Sequence, residues 1–233
     1  MVLIIGYKEF QLAQPNSGHY SLSILEKNNK VGIIVTQNVD RLHQKSGSIN
    51  VVDLHGRNDI VECLSCKTEF SRRMLQMKIE DMNPEITKNI TEYYKEMNTL
   101  NKQIIRADGD SNLDGVVDYN KFCIPNCPKC SGVLMPQVIF FGNNVPTKRV
   151  ETVYSELEKA DGLLIIGTSL EVYSAYRFVD RAAKLNIPIA LVNNGPTRAD
   201  RSNIKLHFRS NKNNINMSCG HILKDVIHNL NFT

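Results

Sequence analysis

The 233-residue sequence contains neither a long apolar run nor a block of like charges. Its uncharged apolar stretches, such as Gly162 to Leu170, are far too short to cross a bilayer, so no membrane-spanning helix is predicted. Lysine and arginine are spread along the chain and the net charge is only +4, so nucleic-acid binding is not indicated.

The sequence also lacks a recognisable targeting segment. Met1 to Ile5 is apolar but too short for the core of a signal peptide, and no basic residues precede it. On these residues alone we expect a protein without a targeting address. The composition, with 42% hydrophobic and 22% charged residues, is that of a globular protein that can bury a core without disulfides.

The C-terminal third alternates between predicted strands and helices. Leu163 to Ile166 is an apolar strand, and Gly167-Thr168-Ser169 then leads into a helix that ends at about Leu185. A second strand, Ile187 to Val192, ends in the turn residues Asn193-Asn194-Gly195. Strand, turn, helix and strand at this spacing predict a βαβ unit in a parallel sheet.

The part of the chain before the cysteines also suits an α/β domain. Ser17 to Lys27 has helical periodicity, with Ser17 as the predicted N-cap, and Val31 to Thr36 is a β-branched run typical of a buried strand. Between residues 74 and 105 the pattern is polar and predicts only helical pieces.

The chain has six cysteines, and four of them form the pairs Cys63-x-x-Cys66 and Cys127-x-x-Cys130. Two such knuckles can make a closed tetrahedral zinc site, which is structural because no coordination position stays open. Residues 67–126 separate the pairs, so the spacing does not prove that they meet, and four unpaired buried cysteines are the alternative. Cys123 lies outside the second knuckle and is not expected to bind the metal.

The cysteines therefore divide the chain. We predict a Rossmann-like domain formed by residues 1–56 and 137–233, with a small zinc module, residues 57–136, inserted into it.

Polar turns follow two neighbouring strands of the predicted sheet. Gly167-Thr168-Ser169 offers backbone N–H groups and hydroxyls suited to phosphate or ribose oxygens, and Asn193-Asn194-Gly195 follows the next strand. Alone, the first is a helix cap and the second only a turn. Because open α/β sheets bind ligands at the carboxyl ends of their strands, the two together indicate a nucleotide site.

A third polar group follows the strand that ends at Thr36. It comprises Gln37-Asn38-Val39-Asp40 and, further on, Asp53-Leu54-His55-Gly56. An amide, a carboxylate and an imidazole at a strand end can bind a carboxamide and move a proton at neutral pH. Taken singly, His55 is equally well a surface histidine with no catalytic role.

These pieces together resemble the sirtuin family, in order and approximate spacing from about residue 6 to the C-terminus. The resemblance implies an NAD-dependent enzyme that removes acyl groups from protein lysines, with a structural zinc. The matching strings are, in chain order, Thr36–His43, Leu54–Gly56, the two cysteine pairs, Pro136–Gly142, Gly167–Tyr173 and Asn193–Thr197.

The resemblance also implies roles for individual residues. His55 matches the general base, which deprotonates a ribose hydroxyl after the acyl oxygen has displaced nicotinamide. Gln37, Asn38, Val39 and Asp40 match the segment around nicotinamide and its ribose. The adenosine side is matched by Gly167, Thr168, Ser169, Asn193, Asn194, Gly195 and Cys219. A strand that pairs with the substrate peptide is matched by Ile139, Phe141 and Gly142.

Within the family, the strings at Pro15-Asn16, Ala107–Asp110 and Val172–Phe178 are most similar to the mitochondrial class II sirtuins. The closest branch is the one credited with lipoamidase and ADP-ribosyltransferase activity. The resemblance therefore implies a mitochondrial matrix protein that acts on acyl-lysine proteins. From the sequence itself, no membrane partner is expected, and the oligomeric state is not specified.

The sequence departs from the family at its start. Sirtuins open with a Gly-Ala-Gly-Ile-Ser strand–turn–helix unit, and residues 1–15 are similar to what normally follows it. We therefore expect a sheet without its first strand–helix unit, and a chain that, as given, binds NAD poorly. The competing interpretations are a catalytically impaired binding fragment and, outside the family, a zinc-ribbon nucleic-acid protein.

Overall fold

The computed structural model describes residues 7–99, 117–210 and 218–232, so the Ala107–Asp110 string lies outside the described residues. The chain divides into a smaller compact unit, residues 1–13 with 57–138, and a larger one, residues 14–56 with 139–233. The helices and strands of the described residues are α1 Tyr7–Leu12, α2 Ser17–Lys27, β1 Ile34–Thr36, α3 Leu42–Lys45, β2 Val51–Asp53, β3 Gly56–Cys63, β4 Glu69–Ser71, α4 Arg72–Met82, α5 Pro84–Thr99, β5 Leu134–Val138, α6 Thr147–Leu157, β6 Leu163–Ile166, α7 Tyr173–Lys184, β7 Ile189–Val192, β8 Phe208–Arg209 and α8 Cys219–Asn229.

The larger unit is built on parallel strands, as the predicted α/β fold requires. β1 pairs with β2, placing Ile34 opposite Val51, and β6, β7 and β8 form a second group with β7 in the middle. Among the described residues the two groups are not hydrogen-bonded to each other through their backbones. The Rossmann-like fold class is confirmed.

A single apolar core holds this unit together. The apolar faces of α6 and α7 pack on β6 and β7. Leu191 of β7 and Val179 and Ala182 of α7 are almost completely buried there. The Tyr154 and Phe178 rings meet edge to face between the two helices, with centroids 5.4 Å apart. Because α7 is anchored by this core, the residues at its N-terminal end have a defined position.

Two strands, β1 and β7, begin later than their apolar runs predict, for identifiable reasons. β6 has the predicted bounds, but β1 starts at Ile34 because the N–H of Val31 already bonds to the Leu25 carbonyl at the end of α2. β7 starts at Ile189, since Pro188 has no N–H to donate to a sheet.

The N-cap of α2 is Asn16 and not Ser17, so the predicted cap was wrong by one residue. The Asn16 side chain accepts from the N–H of Gly18, and His19 Nδ1 accepts from the N–H of Asn16, at 2.9 and 3.2 Å. Ser17 instead lies against α8, so close that a Cβ on Gly220 would come 2.5 Å from the Ser17 hydroxyl. A glycine is therefore needed where these two helices cross.

The smaller unit contains a three-stranded sheet in the order β4–β3–β5, and α4 and α5 lie between β4 and β5 in the chain. Arg72 is fully buried at the start of α4 and lies over the Tyr7 ring, 4.2 Å from its centroid. Asn83, between the two helices, exchanges hydrogen bonds with the backbone of Cys123. Among the described residues, none of the helices combines the length and the apolar character needed to cross a membrane.

Candidate active site and metal centre

The four knuckle cysteines converge in the smaller unit, so the expectation that the two pairs meet is confirmed. The sulfur atoms of Cys63, Cys66, Cys127 and Cys130 all lie within 4.8 Å of one another. The Sγ–Sγ distances are 3.4 Å from Cys63 to Cys130 and 3.7 Å from Cys66 to Cys127. Four thiolates around a tetrahedral zinc, at about 2.3 Å each, place their sulfurs about 3.8 Å apart. The cluster therefore fits a structural zinc ion.

The two knuckles are built alike. In each, the residue after the second cysteine has a left-handed backbone, Lys67 and Ser131 both with φ near 59°, and its N–H donates to the carbonyl of the first cysteine. Gly132 allows the knuckles to approach, since a Cβ there would come 2.9 Å from the sulfur of Cys63. Hydrogen bonds from Thr68 lower the pKa of Cys66 to about 6. The Gly132 backbone lowers the pKa of Cys130, but the neighbouring sulfurs of Cys63 and Cys66 outweigh this effect and raise that pKa to about 12, so the metal must displace the Cys130 proton.

His55, in the larger unit, is the second residue after the end of β2. Its Nε2 lies 2.7 Å from the hydroxyl of Ser174, at the start of α7, and its ring also hydrogen bonds to the Gln37 backbone. Burial lowers the pKa of His55, the Gln37 bond offsets part of this effect, and the positive charge of Arg149 lowers the pKa further. The imidazole is therefore neutral at physiological pH and able to accept a proton.

The ends of β1 and β6 meet beside this histidine. The side-chain amide of Gln37 donates to the Thr168 hydroxyl over 3.0 Å. Gly167 has a left-handed backbone, with φ of 59°, and a Cβ there would lie 3.8 Å from the sulfur of Cys219. Gly167-Thr168-Ser169 does not open a helix as predicted, because α7 begins only at Tyr173.

The turn after β7 is held by a buried ion pair. Arg209 donates to the carbonyls of Asn193 and Gly195, at 2.6 and 2.8 Å, and its Nε donates to Asp200 at 3.0 Å. Burial raises the pKa of the Asp200 carboxyl, but the hydrogen bonds from Arg209 and Thr197 outweigh it and hold that pKa well below its ordinary value. Asn194, between the two bonded carbonyls, is exposed.

The remaining predicted residues lie on loops of the same unit. Asp40 accepts from the Leu42 N–H at 2.9 Å, Asn38 is exposed, and Val39 is half-buried. Ile139 donates its N–H to the His55 carbonyl at 2.8 Å. The loop then continues through Phe141, which is 94% exposed, to Gly142, which has φ of 88°.

The polar groups at the ends of β1, β6 and β7 are amides, hydroxyls and backbone groups, which suit the sugar, carboxamide and phosphate oxygens of a dinucleotide. Family comparison decides between a nucleotide-binding enzyme and other α/β proteins. The sequence profile of the Sir2 family matches residues 4–174. This chain belongs to the Sir2 family.

Relatives of this sirtuin include NAD-dependent protein deacetylases. This chain is 43% identical over 198 residues to an NAD-dependent protein deacetylase from Xanthomonas campestris pv. campestris, and the alignment covers 84% of this chain and 63% of that protein. It is 40% identical over 197 residues to the NAD-dependent protein deacylase Sirt4 of Drosophila melanogaster, covering 84% of this chain and 59% of that protein. The chain thus spans less than two thirds of these relatives' length, and the second of them supports the predicted class II branch.

Solved sirtuin structures share the fold. A Sir2 protein in complex with a p53 peptide and NAD+ superposes with a TM-score of 0.71 at 23% identity, over 96% of this chain and 73% of that one. Sir2Tm bound to a propionylated peptide gives a TM-score of 0.71 at 22% identity, over 97% and 75%.

Three residues of this sirtuin's candidate site escaped the sequence analysis: Ser174, Arg149 and Arg209. Ser174 meets His55 across 119 positions, and Arg149 reaches from α6 to the Leu54 carbonyl at 3.1 Å. Neither contact has a local signal in the sequence. Arg209 ends a short strand, where a charged residue is ordinarily exposed.

Arg209→Met is expected to lower the free energy of unfolding by about 3–5 kcal/mol, since it removes the cation from beside the buried Asp200 carboxylate. The side chains of Arg209 and Asp200 are only 15% and 8% exposed. Urea unfolding measures the loss. The matched control is Arg181→Met, whose ion pair with Glu158 is 42% and 46% exposed and contributes about 0–1 kcal/mol.

The same variant has a predicted pH dependence. Because folding depresses the Asp200 pKa, the stability from this pair is fully present above the ordinary carboxyl pKa of 3.8 and is lost as the pH falls through the lowered value. The difference between wild type and Arg209→Met should therefore shrink in strong acid. Equal losses for the Arg209 and Arg181 variants at neutral pH would contradict this account.

Proposed function

We propose that this sirtuin removes acyl groups from protein lysines in an NAD-dependent reaction. The observation that carries the proposal is His55, a neutral imidazole held beside the polar ends of β1 and β6. Relatives named as NAD-dependent protein deacetylases and as a deacylase support it.

In this proposal the chain's own residues bind and orient the reactants. Gln37, Asn38 and Asp40 hold the nicotinamide end, and the turns after β6 and β7, with Cys219, hold adenosine. NAD would supply the anomeric carbon of its nicotinamide ribose, where the bond to nicotinamide breaks and a bond to the acyl oxygen forms. His55 accepts the proton of a ribose hydroxyl at Nε2.

The loop from Ile139 to Gly142 is proposed to bind the substrate peptide through main-chain hydrogen bonds. Its fixed end is the bond between the Ile139 N–H and the His55 carbonyl, which ties the peptide-binding loop to the base. The exposed Phe141 would contact residues beside the acyl-lysine. In the smaller unit, the four cysteines are proposed to hold zinc in a purely structural role.

The test is to incubate the 233-residue protein with NAD and acyl-lysine peptides that differ only in the acyl group, and to measure nicotinamide and free lysine. NAD-dependent release of both in equal amounts supports deacylation, and the preferred peptide names the acyl class. Transfer of labelled ADP-ribose to protein without lysine release would identify the ADP-ribosyltransferase activity instead.

A second candidate function is a binding fragment that keeps the zinc module and the peptide loop. It rests on features that this chain itself contains, namely the converged cysteines and the exposed Phe141 of the peptide loop. Calorimetry with NAD separates the two: micromolar affinity supports the enzyme, whereas peptide binding without measurable NAD binding supports the fragment. The mitochondrial location that the class II resemblance implies stays a prediction.

A further inference from the structure

Ser174 is the second residue of α7, and its hydroxyl oxygen lies 2.7 Å from Nε2 of His55. It has no capping function, because the N-cap of α7 is Val172 and that cap makes no side-chain hydrogen bond. Its position is nevertheless well defined, since the next two residues, Ala175 and Tyr176, are buried in the core and bond to the Val172 carbonyl. The hydroxyl is therefore delivered to the imidazole by a rigid helix end.

The partners of the two ring nitrogens differ in what they can do. The hydrogen bond between the ring and the Gln37 backbone raises the pKa of His55, which identifies the backbone group as the carbonyl. A carbonyl oxygen can only accept a hydrogen bond. The nitrogen facing it must carry a proton. Nε2 is occupied by Ser174, so the carbonyl faces Nδ1, and in the neutral ring Nε2 is the acceptor of a hydrogen bond donated by the hydroxyl.

We propose that Ser174 is a positioning residue for His55, holding the imidazole in its Nδ1–H tautomer with the Nε2 lone pair as the proton acceptor. The catalytic meaning of this arrangement rests on the proposed function. This tautomer is the opposite of the Nε2–H form that free histidine favours, so it requires an enforcing partner. A reacting hydroxyl must replace the Ser174 hydroxyl as the hydrogen-bond donor to Nε2.

Without Ser174 the ring loses the hydrogen-bond donor at Nε2, which leaves only the Gln37 carbonyl at Nδ1 to favour the Nδ1–H form. Ser174→Ala should therefore shift the ratio of Nδ1–H to Nε2–H severalfold towards the Nε2–H form, and Ser174→Thr, which keeps the hydroxyl, should restore the wild-type ratio. A residue that served only the packing of α7 would not move this ratio.

The measurement is long-range proton–nitrogen NMR on the 233-residue protein labelled with ¹⁵N-histidine, recorded at about pH 8, which is well above the ordinary histidine pKa of about 6.5. The spectrum of His55→Gln assigns the His55 signals among the six histidines. Ser218→Ala is the matched control: Ser218 lies at the start of α8 with its hydroxyl 3.1 Å from His221 Nδ1, so its loss should move the His221 signals and leave those of His55 in place.

Wild-type His55 in the Nε2–H form, or a ratio unchanged by Ser174→Ala, would overturn the proposal. If Ser174→Ala fails to fold, Ser174→Cys takes its place: the thiol has a similar size but is a much weaker donor, so it should also shift the ratio towards the Nε2–H form. Because the NMR experiment uses neither NAD nor peptide, its result stands apart from the deacylation assay. A chain that does not turn over but shows the Nδ1–H tautomer keeps this inference and loses the proposed function.

Discussion

Cys63→Ser is expected to abolish stable zinc binding and to unfold the sheet of the smaller unit. The Cys63 side chain is fully buried, at the end of β3, and its sulfur is within 3.4 Å of that of Cys130. Structural zinc sites contribute about 10–16 kcal/mol of apparent binding free energy at neutral pH, and much of this is folding free energy. Elemental analysis should give one zinc per wild-type chain and a substoichiometric amount in the variant.

The control for this prediction is Cys123→Ser. Cys123 is exposed and lies outside the sulfur cluster, so its variant should keep both the zinc and the thermal unfolding midpoint of the wild type. A chelator should convert the wild type, but not a prefolded metal-free protein, into a partly unfolded species. A Cys63→Ser protein with a full complement of zinc would show that the cluster is not the metal site.

His55→Gln is expected to lower the rate of peptide deacylation by about 10²–10⁴-fold, the usual contribution of a positioned general base. Glutamine is close to the imidazole in size and polar, so the contact with Ser174 can be partly replaced and the fold kept. The readout is free lysine peptide formed with NAD under saturating conditions. The matched control is His228→Gln, in which an exposed histidine of α8 is replaced.

This prediction carries a pH dependence. Because burial lowers the His55 pKa below its ordinary value of 6.5, the base stays neutral through the physiological range. The wild-type rate should rise with pH and reach half its plateau below pH 6.5. Lysine release by His55→Gln at nearly the wild-type rate, with the same acid limb, would show that another group is the base.

Local patterns predicted the elements whose causes are local. β6 has the expected bounds because Leu163 to Ile166 is apolar throughout and is followed at once by a turn glycine. The cap of α2 was misassigned because Asn16 and Ser17 are both good caps, and the capping box uses His19 where the sequence signature expects Glu or Gln.

Non-local contacts could not be predicted in the same way. Cys66 and Cys127 are 61 positions apart, yet their sulfur atoms lie 3.7 Å from each other. The spacing of the cysteine pairs does not reveal this approach. The buried pair of Arg209 and Asp200 was missed because both residue types are usually exposed. Ser174 was noted only as part of the Val172–Phe178 string that resembles the family. Its contact with His55 depends on how α7 packs relative to β2.

The two knuckles have a consequence for how the chain folds. Each is a five-residue turn that can form early. Joining the two knuckles requires closure of a long loop, so its entropic cost falls on a later step. During refolding every chain therefore displays two independent pairs of thiolates before the tetrahedral site exists. Zinc added in excess at that stage occupies half-sites and bridges different molecules. The order in which metal and chain are brought together therefore determines whether native protein or a metal-linked aggregate is recovered.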